Sequence, residues 1–291
     1  LYAEAKRSKP KTPKPVKSAK TFVICPADFQ IGKGASRGGH EESIQRIHAS
    51  YDRIEQKLKA GNYEHIVILD MGDVIEGVSS KADMEQIVSN TLSPMQQVDL
   101  ASALLWDLMK LASKYAPITY GSVASNHCQF RVNKAQVGKP GQDDWGVVIL
   151  QQLRRLATEV GLPVTRWLVP QPHDEGFAFD VFDNGEHILG AIHGHQVARP
   201  DAFAGFWAKA VFNSSYLAAV TTMVSGHFHH HRCEQISGTE NRERWWVQAS
   251  TSDSGSDWYT RRQGAGGDST TAITCFELEK GKPFRGTVEL L

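Results

Sequence analysis

The feature that most constrains this chain is residues 66–77, Ile-Val-Ile-Leu-Asp-Met-Gly-Asp-Val-Ile-Glu-Gly. The apolar run at 66–69 reads as a buried strand, and Gly72-Asp73 turns the chain and leaves a carboxylate at the strand's C-terminal end. In α/β sheets that end is where ligands bind. Four other segments also close an apolar run on a residue able to ligate a metal: 22–28, followed by Gln30; 118–126, followed by His127; 188–193; and 222–227, followed by His229.

The rest of the chain suits a sheet of this kind. Helical spacing recurs over 43–60 (Ile44, Ile47, Tyr51, Ile54, Leu58), with Gly61 as a C-terminal stop. Ser93-Pro94-Met95-Gln96 has the form of a capping box opening a second helix, which ends near Pro117. Asp143 and Asp144 precede a third helix that Gly161 and Pro163 stop, and these acids read as structural. A polar, helical stretch is expected around 81–89. Strands are expected at 21–28, 66–69 and 118–125, so the first half alternates strand and helix. The second half is mostly strands, at 164–169, 177–182, 187–193, 223–226, 232–236, 245–249, 271–278 and 285–290. Asp183-Asn184-Gly185 is a hairpin turn signal, and a short helix is expected at 202–212.

Composition bounds the rest. The 291 residues, 41% hydrophobic and 22% charged, match ordinary globular domains. Residues 1–20 hold seven basic residues and one acid, so this segment stands at +6 against −6 for the remainder. With Pro10, Pro13 and Pro15 it reads as a tail: either a solvated linker or an arm contacting phosphates. The domain proper is set at 21–291. No apolar run approaches the ~18 residues of a membrane span, and the basic start leads into too short an apolar run for a secretory signal. Cys25, Cys128, Cys233 and Cys275 are scattered. Isolated thiols indicate a reducing compartment, so a cytoplasmic location is expected. The loop with Gly32, Lys33, Gly34, Arg37, Gly38 and Gly39 matches no phosphate-loop spacing.

Asp28, Gln30, Asp73, Asn126, His193, His227 and His229 therefore form the candidate ligand set. Carboxylate, amide oxygen and imidazole suit Mn foremost, then Fe or Zn. A carboxylate such as Asp73 can bridge two cations that clamp a phosphoryl transfer. His227 and His229, two apart on an extended segment, would point the same way. His127 can donate a proton to a leaving oxygen while Asn126 ligates. Arg131 is either a phosphate-oxygen contact or a surface residue.

In series these motifs resemble those of the calcineurin-like metallophosphoesterases: Asp-x-His, Gly-Asp-x-x-Asp/Glu, Gly-Asn-His-Asp/Glu, a strand-end His and Gly-His-x-His. Here they stand as Asp28-Phe29-Gln30, Gly72-Asp73-Val74-Ile75-Glu76, Ser125-Asn126-His127-Cys128, His193-Gly194 and Gly226-His227-Phe228-His229. The resemblance implies a four-layer α/β/β/α sandwich. It implies one ion on Asp28, Gln30, Asp73 and His229, a second on Asp73, Asn126, His193 and His227, and a bridging hydroxide that attacks phosphorus. It makes His127 the proton donor to the leaving group. Three positions depart from the pattern: Gln30 for His, Ser125 for Gly, and Cys128 for an acid. His193 is preferred to His195 because it ends the apolar run. The expected activity is metal-dependent hydrolysis of phosphate esters, by a phosphodiesterase or nuclease acting on DNA or RNA. The alternatives are a small-molecule phosphodiesterase or phosphomonoesterase, and an inactive scaffold. The basic tail, Arg261-Arg262, Trp258 and Tyr259 favour the nucleic-acid reading.

Overall fold

Alternation along the strands decides which layer each residue meets. The computed structural model describes residues 13, 17–34, 39–77, 88, 90–132, 135–171, 173–239, 242–253 and 271–291. In chain order the elements are β1 (Lys20–Cys25), α1 (His40–Ala60), β2 (His65–Asp70), α2 (Pro94–Ser113), β3 (Ile118–Ser122), a short ribbon of β4 (Arg131–Val132) and β5 (Ala135–Gln136), and α3 (Trp145–Val160). They continue with β6 (Val164–Leu168), β7 (Phe177–Asp180), β8 (Ile188–Ile192), a 3-10 turn (Pro200–Ala202) leading into α4 (Phe203–Phe212), and β9 (Thr222–Ser225). The last four are β10 (Arg232–Thr239), β11 (Arg242–Gln248), β12 (Thr274–Glu279) and β13 (Val288–Leu290).

One sheet runs β13-β12-β1-β2-β3-β6 and the other β10-β11-β9-β8-β7. Phe22 and Ile24 of β1 and Ile66 and Ile68 of β2 face a core shared with α1, α2 and α3. Their neighbours Val23, Cys25, Val67 and Leu69 face the opposite way, into a core shared with Phe177, Leu189, Val224 and Val247 of the other sheet. The far face of that second sheet, with Ile192, Met223 and Trp246, packs on Phe203 and Trp207 of α4. The order of layers is therefore α/β/β/α, as expected. Strands β1 and β2 are apolar on both faces because both are covered.

The parallel pairs matter for function. β1, β2, β3 and β6 run parallel, as do β8, β9 and β11, so each set delivers its C-terminal ends to one edge of its sheet.

Local expectations hold with shifts at the ends. Ser93 caps α2 with the predicted capping box, and Asp144 caps α3 by accepting from Gly146 N and Val147 N at 2.8 and 3.2 Å. The first strand stops at Cys25, short of residue 28, because Pro26 has no N–H to continue the ladder. β3 likewise stops at Ser122. Gly61 is not the left-handed stop expected of it. Its backbone is extended (φ −89°, ψ 169°), and a side chain there would strike the ring of Tyr63. The β4–β5 ribbon was not anticipated, since two-residue strands carry no periodicity. The helix expected at 81–89 falls outside the described residues except for helical Val88. The loop with Trp258, Tyr259, Arg261 and Arg262 falls outside them altogether. Among the described residues no helix is long and apolar enough to cross a membrane.

The outer helix α4 is anchored chiefly by Trp207, which is 1% exposed, donates through Nε1 to Leu217 O at 3.2 Å, and sits under the Arg244 guanidinium. Trp207→Ala removes this packing and the indole N–H that Leu217 O accepts. It is expected to cost about 3–5 kcal/mol, read as a lowered midpoint in urea unfolding.

Candidate metal centre

Five of the seven predicted ligands lie within four residues of the C-terminal end of a strand, and Gln30 and His229 follow two residues after the first and last of them. Asp28 follows β1, Asp73 β2, Asn126 β3, His193 β8 and His227 β9. The turns that carry them are unusual. Asp28 (φ 50°), Gln30 (φ 42°), Asp73 (φ 49°), His227 (φ 74°) and His229 (φ 58°) all lie in the left-handed region. Such a backbone costs non-glycine residues about 1–2 kcal/mol each and persists only where surrounding contacts impose it. Those contacts are visible. Asp28 N donates to Gly72 O at 3.0 Å and Gln30 N to Asp73 O at 2.9 Å, which ties the first loop to the second. Asp73 Oδ1 accepts from His127 N at 2.9 Å. Asp28 Oδ2 accepts from His227 N at 2.9 Å. Each carboxylate thus spends one oxygen on the backbone of another ligand loop.

The left-handed turns also correct one expectation. The Gly-His-x-His segment is not extended, and its two imidazoles diverge. His227 lies beside His193, with ring centroids 5.1 Å apart, whereas His229 Nε2 lies 3.5 Å from Asp28 Oδ1 and its Nδ1 3.6 Å from Asp253 Oδ2.

Glycines in these turns fit by lack of bulk. A Cβ on Gly72 would come 2.6 Å from Ser125 Cβ, and one on Gly226 2.9 Å from Asp28 Oδ2.

Among the described residues, Asp73, His193 and His227 form a group of acidic and imidazole donors whose ligand atoms all lie within 4.8 Å of one another. His193 is fully buried, and its Nδ1 pairs with Met71 O at 2.7 Å, so Nε2 is the atom presented to a metal. Nε2 lies 2.9 Å from Asp73 Oδ2 yet makes no aligned hydrogen bond. Asn126 Oδ1 and Asp28 Oδ1 are likewise buried without a hydrogen-bond partner. Buried polar atoms are almost always satisfied, so unmatched oxygens and an imidazole nitrogen turned towards a carboxylate fit a divalent cation. His195, by contrast, turns its Nε2 to Glu175 Oε2 at 3.2 Å.

The electrostatics agree. Burial pulls the His193 pKa down, but the Asp73 and Asp28 carboxylates outweigh it and bring it to about 9. Burial, with His193 beside it, lowers His227 to about 3. Burial disfavours charge on Asp73 too, but His193 and His127 hold its pKa well below the usual carboxylate range.

Two of the three departures find a local account. Ser125 is absent from the positive-φ residues, and its hydroxyl accepts from Asp73 N at 2.8 Å, fixing the turn of the central ligand. Cys128 is buried and uncharged, and the acid near His127 is instead Glu76, whose Oε2 lies 3.7 Å from His127 Nδ1. Glu76 also fixes the ring, since its main-chain carbonyl lies 2.9 Å from the same Nδ1. Gln30 is buried, and its Oε1 accepts from Lys33 Nζ at 2.7 Å. Arg131 stands on β4 with its guanidinium bonded to the Gln129 side chain, which donates to Glu175 at 3.0 Å.

Sequence reasoning did not single out Lys33, Asp253 or Glu175. Lys33 lies in a glycine-rich loop that matched no motif. Asp253 follows β11, a sixth strand end at this edge, but the polar sequence 250–253 gave no apolar run to flag it.

No known family profile matches the chain, and no curated protein matches it. Solved structures do overlap it. One is a predicted phosphoesterase from Streptococcus pneumoniae TIGR4, at 10% identity over 94% of this chain and 97% of the other, with a TM-score of 0.36. Vps29 of Entamoeba histolytica, complexed with zinc, overlaps at 10% identity over 92% and 96%, with a TM-score of 0.36. A metallophosphoesterase from Sphaerobacter thermophilus overlaps at 13% identity over 88% and 83%, with a TM-score of 0.33. Overlaps this loose leave function to the side chains themselves.

Two outcomes are expected. Ser125→Ala strips Asp73 N of its acceptor and should weaken Mn binding about 10–100-fold, the usual scale for partners behind a ligand, measured by titration calorimetry. His193 must lose its proton to ligate, so below about pH 9 apparent Mn affinity should rise about tenfold per pH unit. The sign reverses for the metal-stripped protein. There the raised pKa contributes stability that is full below about pH 6.5 and lost as pH rises through about 9, which a melt series should show.

Proposed function

We propose that this protein hydrolyses phosphate esters with the help of a divalent cation, as a metallophosphoesterase of the calcineurin-like kind. The observation that carries the reading is the convergence of Asp73, His193 and His227 within 4.8 Å, with the unmatched Asn126 Oδ1 from a fourth strand end. These four would hold the ion, and their oxygen and nitrogen donors suit Mn, with Fe or Zn as alternatives. When bound, such an ion supplies Lewis acidity to a phosphoryl oxygen and neutralises developing charge.

His127 acts as the proton donor to the departing oxygen. Its Nδ1 is held by the Glu76 carbonyl, which orients the ring and leaves Nε2 for proton transfer. Glu76 Oε2 also lies 3.7 Å from Nδ1, on the side of the ring away from the departing oxygen's Nε2 donor. Arg131, beside the Gln129–Glu175 pair, supplies a guanidinium for a non-bridging phosphate oxygen. The substrate is a phosphodiester, and the +6 segment at 1–20 favours a nucleic acid over a small molecule.

A panel of a nitrophenyl monoester, a nitrophenyl diester, and single- and double-stranded DNA, each with Mn, tests the substrate. Cleavage of DNA or the diester ahead of the monoester is expected, and monoester preference would count against the diester reading. His127→Ala should slow a poor alkoxide leaving group by about 10²–10⁴ but spare the activated nitrophenyl ester. Equal losses on both would remove His127 from the acid role.

A further inference from the structure

Beside the Asp28 loop lies a sealed lysine. Lys33 Nζ donates to Gln30 Oε1 at 2.7 Å and to Asp253 Oδ2 at 2.5 Å. The Lys33 side chain is only 12% exposed and that of Asp253 5%. Beyond Asp253, His229 reaches its Oδ2 with Nδ1 and turns Nε2 towards Asp28 Oδ1, at 3.6 and 3.5 Å. Gln30, Lys33, Asp253, His229 and Asp28 thus form one continuous polar chain along this side of the centre.

The backbone builds this arrangement. Lys33 N bonds Gln30 O at 3.2 Å, in a turn made by Gly32 at φ 103°. Thr251 Oγ1 donates to Asp28 O at 2.8 Å and accepts from Asp253 N at 2.9 Å, which pins Asp253 to the Asp28 loop. An ammonium has three donors and no acceptor. Held against Gln30 Oε1, it occupies that oxygen and sets a fixed positive charge next to any ion that Asp28, Gln30, Asp73 and His229 would share. Gln30 is the one uncharged amide of those four, and unlike Asn126 Oδ1, which has no hydrogen-bond partner, its oxygen is already engaged by Lys33. Asp28 and His229, among the described residues, are not part of the close donor group that Asp73, His193 and His227 form.

We infer that the protein binds one divalent ion, on Asp73, Asn126, His193 and His227, and that Lys33, by holding the Gln30 oxygen, keeps a second ion from the Asp28 side. The inference rests on the proposed metal-dependent reading and deepens it.

Metal content tests it. The full chain is stripped, reloaded with Mn, desalted, and assayed by elemental analysis and electron paramagnetic resonance. One Mn per chain with the resolved hyperfine pattern of an isolated ion is expected. Two Mn per chain with exchange-coupled spectra would overturn the single-ion inference and leave the phosphoesterase reading standing. No bound Mn would overturn the metal-dependent reading itself. His229→Ala should retain the ion whereas His193→Ala loses it, and loss in both would place the ion on the wrong side. Gln30→His with Lys33→Met, which restores an imidazole and removes the cation, should raise the content to two. A folded double variant that still holds one removes Lys33 from the role, and Lys33→Met alone, expected to gain partial second occupancy, covers a double variant that fails to fold.

Discussion

The centre depends on two carboxylates that each give one oxygen to the main chain of a distant loop. Asp73 accepts from His127 N and Asp28 from His227 N, both at 2.9 Å. With the Asp28 N–Gly72 O and Gln30 N–Asp73 O bonds they brace the loops in which five candidate ligands sit in left-handed backbone, a conformation that persists only where surrounding contacts impose it. The reward is directional. With one oxygen fixed, the other oxygen of each carboxylate has little freedom left, so little ordering remains to be done when a cation arrives.

An α/β layout was legible from the strand–helix alternation of the first half, whereas the four-layer order was what the family resemblance implied. Val23, Cys25, Val67 and Leu69 face one way and Phe22, Ile24, Ile66 and Ile68 the other, and runs apolar on both faces imply covers on both sides. The ligands at strand ends were legible for a related reason. A buried run that stops at a Gly-Asp or a Gly-His must leave its polar residue at the sheet edge. What resisted reading was anything set by contact across loops. The divergence of His227 and His229 comes from φ values that a two-residue spacing does not reveal. Lys33 and Asp253 are 220 residues apart and meet only because the ends of β1 and β11 share an edge. Gly61 does close α1, as read, but in extended backbone and with its lack of a side chain making room for the Tyr63 ring.

Departures from a motif are informative in different ways. Ser125 lies outside the positive-φ residues and adds a hydroxyl that accepts from Asp73 N, so it braces the turn where glycine would offer no side chain. Cys128 is buried and raised by that burial well above the usual thiol range, so it contributes bulk where Glu76 contributes the carboxyl beside His127. Gln30 differs from both, because its change comes coupled to a neighbouring cation. Substituted singly it would leave that cation in place, so residues 30 and 33 are best regarded as one unit.

The tie between Asp28 Oδ2 and His227 N has a consequence for biosynthesis. A chain growing from its N-terminus exposes the Asp28 loop long before residue 227 exists, and the Asp253 anchor comes later still. Contacts of such sequence separation form slowly, so this edge closes only after residues 227 and 253 have been made. Until then the nascent polypeptide carries half-built donor loops that no cation can yet lock in place.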